Sequence, residues 1–131
     1  MIVVDTNILA YLFLPGSFTS HAEVLLHEDA DWAAPSLWRS EFRNVLAGYL
    51  RRGALDLHTA IAMQREAEAL LVPGEFAVDS GSVLDLVKNS DCSAYDCEFV
   101  ALAQELGVKL VTMDAKLLRA FPATCRSLVA D

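Results

Sequence analysis

The 131-residue chain carries 54% hydrophobic and 21% charged residues, a balance that suits one compact domain spanning 1–131 and argues against disorder. Its net charge of −8 disfavours nonspecific adhesion to nucleic acid, although acids gathered at a cation site would be neutralised there, and it favours attraction of a basic partner. The apolar runs are too short and too broken by charge to span a bilayer, and the Met-Ile-Val-Val-Asp start lacks the basic region of a signal peptide.

Met1 to Val4 reads as a buried strand, and Asp5-Thr6-Asn7 can cap a helix through Leu12 that stops at Pro15-Gly16. Thr19 or Ser20 can cap a second helix, His21 to about Glu28. Ala33-Ala34 is a short apolar stretch, and Pro35 suits the first turn of a third helix, Ser36 to Arg52, stopped by Gly53. A fourth helix, Leu57 to Leu71, follows closely enough to form an antiparallel hairpin with the third. Glu75 to Val78 reads as a strand, then a short helix through Lys88 capped by Ser80 or Ser82. Ser93 to Leu106 is a strong helix closed by Gly107. Val108 to Met113 is a strand, Ala115 to Ala120 a short helix, and Ser127 to Ala130 a final strand. Strands alternating with helices imply an α/β domain of three layers, a mainly parallel central sheet flanked by helices.

Four acids stand out against this frame. Asp5 and Asp114 end apolar strands, and Asp96 opens a helix. These are the positions where α/β folds hold their ligands. Each also has a plainer reading as a helix cap, and Ser93-x-x-Asp96 matches a capping box. Glu41 shares a helix face with Trp38 and Val45, so it must reach solvent, pair with Arg39, Arg43 or Arg52, or serve a purpose. Four carboxylates converging on one end of one sheet would repel each other unless cations bind, as a divalent-metal site for phosphate chemistry requires. Asn7 and Thr6 can support Asp5, and Thr112 is either a strand residue or a hydroxyl that orients water. Cys92, Cys97 and Cys125 lack metal-site spacing, and His21, His27 and His58 do not complete a site. The thiols read as reduced, in or near the core of a cytoplasmic protein.

Val3-Val4-Asp5-Thr6-Asn7, Pro35 to Glu41, Ser93 to Ala103 and Leu110 to Leu117, in that order over nearly the whole chain, resemble the PIN-domain family, the ribonuclease fold of toxins in VapBC-type toxin–antitoxin pairs. The resemblance implies a single-strand-selective endoribonuclease using Mg²⁺ or Mn²⁺, with a cognate antitoxin and a homodimer among its contacts. It further implies that Asp5 and Asp96 hold the principal metal, that Glu41 binds a second ion or orients the attacking water, and that Asp114 completes the pocket. Cys97 stands where many relatives carry a small residue. Candidates for RNA contact are Arg39 and Arg43 near Glu41, with Lys116 and Arg119 after Asp114. The same residues also read as solvated helix faces.

Other classes fit less well. A haloacid-dehalogenase phosphatase needs Asp two residues after its nucleophile, where Asn7 stands. A receiver domain needs Lys at the end of a late strand, and Lys109 lies at the wrong end. A PIN-like module that binds partners without cleaving is the alternative to the enzyme, and the presence of all four acids argues against it.

Overall fold

Three β-branched residues open the chain, and they form the middle of the sheet. In the computed structural model, which describes residues 1–129, β1 (Ile2–Val4) is buried throughout. Asp5 ends it and caps α1 (Thr6–Phe13) by accepting the Thr6 amide. α2 (Thr19–Glu28) leads to β2 (Trp32–Pro35), and α3 (Trp38–Arg51) and α4 (Leu57–Leu71) pack together as the expected hairpin. A 3₁₀ turn, Val72–Gly74, precedes β3 (Glu75–Phe76). Then follow α5 (Ser80–Lys88), α6 (Ala94–Leu106), β4 (Leu110–Thr112), α7 (Ala115–Ala120) and β5 (Cys125–Ser127).

All pairings in this five-stranded sheet are parallel, in the order β3-β2-β1-β4-β5. The chain therefore moves outward from β1 in one direction, then returns to build on its other side. Such a reversal opens a crevice at the carboxyl ends of the two strands that flank it, here β1 and β4. The register sets Val4 against Val111, so Asp5 and Thr112 emerge side by side. Val3, Val4, Leu110 and Val111 are wholly buried, as strands covered on both faces require.

Several local expectations shift. Pro35 ends β2 instead of opening α3, where its missing N–H costs nothing because the strand stops there. Phe18, not Thr19 or Ser20, precedes α2. The Thr19 hydroxyl instead accepts the Gly16 amide at 3.0 Å and donates to the Tyr11 carbonyl at 2.7 Å, tying the loop to α1. Asp79, not Ser80 or Ser82, caps α5, taking the Ser82 amide at 2.9 Å. β3 is shorter than the run Glu75 to Val78. β5 lies two residues earlier than the apolar pattern placed it, because Cys125 turns inward beside β4 while Arg126 faces out. The expected end of that strand, Ala130, falls outside the described residues. Gly53 and Gly107, with φ of 70° and 67°, do close α3 and α6 as expected.

An acid on the edge strand fixes the start of α3. Glu75 accepts Trp38 Nε1 at 2.7 Å and the Arg39 guanidinium at 2.6 and 3.0 Å, and Arg39 also reaches Glu68 on α4 at 3.4 Å. The pairing holds the Glu75 carboxyl below its usual range. Arg39→Ala would leave Glu75 half-buried with only the indole as partner, so a lower urea midpoint is expected. A midpoint equal to the parent's would show that the clamp adds nothing.

Candidate active site

Each of the four acids reaches the crevice by a different local device. Asp5 extends directly from β1. Its Oδ1 accepts the Thr6 amide at 2.8 Å, and its Oδ2 accepts the Thr112 hydroxyl at 2.7 Å. Thr112 is fully buried at the end of β4 and turns the same oxygen toward the Asp114 amide at 3.0 Å. Asp114 caps α7, accepting the amides of Lys116 and Leu117 with Oδ1. Ser93 caps α6 by accepting the Asp96 amide at 3.1 Å, which leaves the Asp96 side chain in the first turn facing the crevice. Glu41, in the first turn of α3, accepts the Thr6 hydroxyl at 2.8 Å.

These acids line one cavity of about 380 Å³, together with Thr6, Asn7 and Asn44 and an apolar wall of Ala10 and Val45. Among the described residues, none of the four forms an ion pair. Arg39 is taken up by Glu75 and Glu68, Arg43 donates to the Arg39 carbonyl at 3.0 Å, and Arg52 lies over the Tyr49 ring. The partners considered for Glu41 are therefore engaged elsewhere, and the Arg39 guanidinium is held by Glu75 and Glu68 on the α3–α4 side. Lys116 donates to the Asp91 carbonyl at 3.0 Å, outside the cavity lining, though its charge is felt by Asp96.

The electrostatics of this arrangement point one way. Burial, opposed by the Thr112 and Thr6 hydrogen bonds and reinforced by the charges of Asp96 and Glu41, pushes Asp5 up to about 6. Burial raises Glu41 as well, against its Thr6 hydrogen bond and with repulsion from Asp96 and Glu98. Burial and the charge of Asp114 raise Asp96. Anionic groups are thus held where their charge is unfavourable, the condition that a bound cation relieves.

Among the described residues, no three His, Cys, Asp or Glu side chains close into a ready metal cage. The donor set nevertheless fits a hard divalent ion. Mg²⁺ is usually held by one or two carboxylates with water and substrate phosphate completing its shell, not by an all-protein cage. Asn7, a residue of the same lining, also has a buried Oδ1, a hard oxygen donor, that lacks a hydrogen-bond partner among the described residues.

Asn44 is the lining residue that the sequence reading passed over. Its position three residues after Glu41, on the same helix face, was the available signal. The cysteines behave as expected: all three are free and buried, and burial pushes Cys125 up to about 12.

A parallel sheet with its acids gathered at the switch point places the protein among the α/β folds that bind ligands at the carboxyl ends of their strands. Within that class the chain belongs to the PIN domain family, which matches residues 2–121. It is similar to Ribonuclease VapC3 of Pyrobaculum aerophilum, with 31% identity over 126 residues covering 93% of this chain and 95% of the relative. Among solved structures it resembles the P. aerophilum protein PAE2754, with a TM-score of 0.78 at 20% identity over 97% of this chain and 90% of that one. FitAcB from Neisseria gonorrhoeae gives 0.77 at 15% identity over 98% of each chain. A toxin–antitoxin complex from Klebsiella pneumoniae gives 0.73 at 18% identity over the full length of both. At these identities the structural likenesses establish the fold.

Proposed function

We propose that this chain is a divalent-metal-dependent endoribonuclease and the toxin of a type II toxin–antitoxin pair. The observation that carries this reading is the convergence of Asp5, Glu41, Asp96 and Asp114 in one cavity without a cationic partner among the described residues. Family membership and the similarity to a ribonuclease support it.

Asp5 and Asp96 would hold Mg²⁺ or Mn²⁺. When bound, the ion supplies Lewis acidity that lowers the pKa of water and neutralises charge building on the phosphate. Thr112, through its 2.7 Å hydrogen bond, fixes the rotamer of Asp5. Glu41 orients the attacking water and accepts its proton, a role that suits a carboxyl raised above its ordinary range. Asp114 closes the far side of the pocket, and Asn7 offers its free Oδ1 to the ion or its water. Arg43 and Lys116, both exposed, remain the candidates for contact with RNA phosphates.

An apolar groove of about 290 Å³ between α3 and α4, lined by Leu46, Leu50, Leu57 and Ile61, supports an antitoxin partner. Leu57 and Ile61 are 64% and 41% exposed there, so an apolar helix laid into the groove would cover them. A homodimer and a cytoplasmic setting belong to the same reading. The three free thiols suit a reducing compartment, and among the described residues no helix is long and apolar enough to cross a membrane.

The deciding experiment is cleavage of a mixed RNA pool by purified protein with Mg²⁺ or Mn²⁺, run beside Asp96→Asn. Parent cleavage that depends on the metal and falls about 100-fold or more in the variant is the expected result. Metal binding without cleavage would favour the non-cleaving binding module, and equal cleavage by both proteins would remove Asp96 from the mechanism.

A further inference from the structure

A second cavity, of about 340 Å³, lies between α5 and α6 and is lined by Val78, Ser80, Val83, Leu84 and Glu98. Glu98 follows Asp96 by two residues on α6, and its charge acts on Glu41. The Glu98 carboxylate is half-buried, yet among the described residues it accepts no hydrogen bond and forms no ion pair. Tyr95 sits three residues before Glu98 on α6, beside the lining and not in it, and is 63% exposed, and Leu84 of the lining is 62% exposed. The cavity thus joins apolar side chains to a carboxylate without a protein partner among the described residues, and an exposed aromatic ring stands one helical turn from that carboxylate.

We propose that this cavity is a base subsite that takes a guanine of single-stranded RNA beside the scissile phosphate. This rests on the nuclease reading above. Guanine presents N1–H and N2–H as adjacent donors, which match the two oxygens of Glu98, and the neighbouring O6 accepts from the Ser80 hydroxyl. Adenine and cytosine would turn a ring-nitrogen acceptor toward the carboxylate, and uracil offers a single donor. Tyr95 supplies the stacking face that single-stranded RNA readers use, worth about 1–3 kcal/mol per base. A cavity of this size suits one planar base, and an approach through base N–H groups avoids the repulsion that a phosphate would meet at Glu98.

The test has two arms. In the first, metal-free protein is titrated with guanosine and adenosine while backbone amide NMR signals are followed. Guanosine should shift the signals of Ser80, Tyr95 and Glu98, and adenosine should not. Glu98→Gln and Tyr95→Ala should each weaken guanosine binding about fivefold or more, while Tyr95→Phe, which keeps the ring, should bind like the parent. In the second, the ends of cleaved RNA are sequenced. Parent cuts should be enriched beside guanine, and among the cuts that Glu98→Gln still makes that enrichment should be lost.

Guanosine binding at these residues in a protein that cuts no RNA would uphold the subsite and overturn the nuclease reading alone. Cleavage with no guanosine shifts and an unchanged cut profile in Glu98→Gln would overturn the subsite alone. A Tyr95→Ala protein that turns from dimer to monomer, with no guanosine response in the parent, would also overturn it and assign the face to contact between copies.

Discussion

Replacing Asp5 with Asn is expected to stabilise the metal-free protein by about 1–2 kcal/mol near neutral pH while abolishing metal-dependent cleavage. Asp5 titrates at about 6 in the fold, against 3.8 for an ordinary aspartate. A raised carboxyl contributes stability that is fully present below the unfolded value and is lost as pH rises through the folded one. Above about pH 6 the charged carboxylate therefore costs the metal-free fold about 3 kcal/mol, at 1.36 kcal/mol for each pH unit of displacement. Asn removes that charge. It keeps an oxygen for the Thr6 amide and presents its NH₂ to the Thr112 hydroxyl, so only part of the gain is offset.

Melting in chelator should accordingly give the variant a Tm several degrees above the parent near neutral pH, with the gap closing toward about pH 5 as the parent's carboxyl protonates. Glu41 and Asp96, also raised, act in the same direction. Asp29, Asp56, Glu75 and Asp79, held low by hydrogen bonds, act in the opposite one and lose their contribution as pH falls below about 4. The metal-free parent should then be most stable near about pH 5, and saturating Mg²⁺ should raise the parent's Tm without moving the variant's. An Asp5→Asn protein that melts below the parent in chelator near neutral pH would show that the carboxylate is a stabilising cap, not a strained ligand.

Gly74→Ala should be the most damaging small substitution in the chain. A methyl group there would stand inside the van der Waals contact distance of the Trp32 carbonyl oxygen and 3.1 Å from the Ala33 Cα. Both are backbone atoms of β2, so no side chain can rotate away. Either β2 shifts or the turn before β3 does, and Glu75, the anchor of α3, follows one residue later. The expected loss is about 3 kcal/mol, a large share of the 5–15 kcal/mol that holds a domain of this kind together. The urea midpoint should fall by about 1–2 M, while Gly16→Ala, whose methyl meets only the Leu14 carbonyl at 3.9 Å, should stay near the parent. A Gly74→Ala midpoint within about 0.3 M of the parent would contradict this.

The residues that could be read ahead of the structure are those where local and global signals agree. β1 is legible because uninterrupted Ile2-Val3-Val4 suits only a strand buried on both faces, and α4 and α7 because their periodic runs have clear starts and stops. The acids were legible because Asp5, Asp96 and Asp114 each follow a strand end or a helix cap, so topology fixes their direction. What failed was the choice between neighbouring polar groups that can do the same job. Asp79 and Ser80 both suit a cap, and only tertiary packing set Asp79 there. Thr19 was drawn from capping by the carbonyls of Tyr11 in α1 and of Leu14 at its end, and Arg39 was engaged by acids 29 and 36 residues away, separations that no local pattern reports. Asn44 escaped notice because an exposed amide on a helix resembles any solvated residue.

The hydrogen bond between Thr112 and Asp5 joins residues 107 positions apart, and the strand that carries Thr112 is nearly the last to be made. At about 5–20 residues per second, a ribosome spends about 5–20 s between adding the first of these residues and the second. Throughout that interval β1 has no neighbour on one side, Asp5 has no hydroxyl to hold it, and Asp114 does not yet exist. In the reading proposed above, a nascent or truncated chain is therefore latent, and RNA-cutting capacity arrives in a single late step. The order of the strands acts as a timer on the protein's own synthesis.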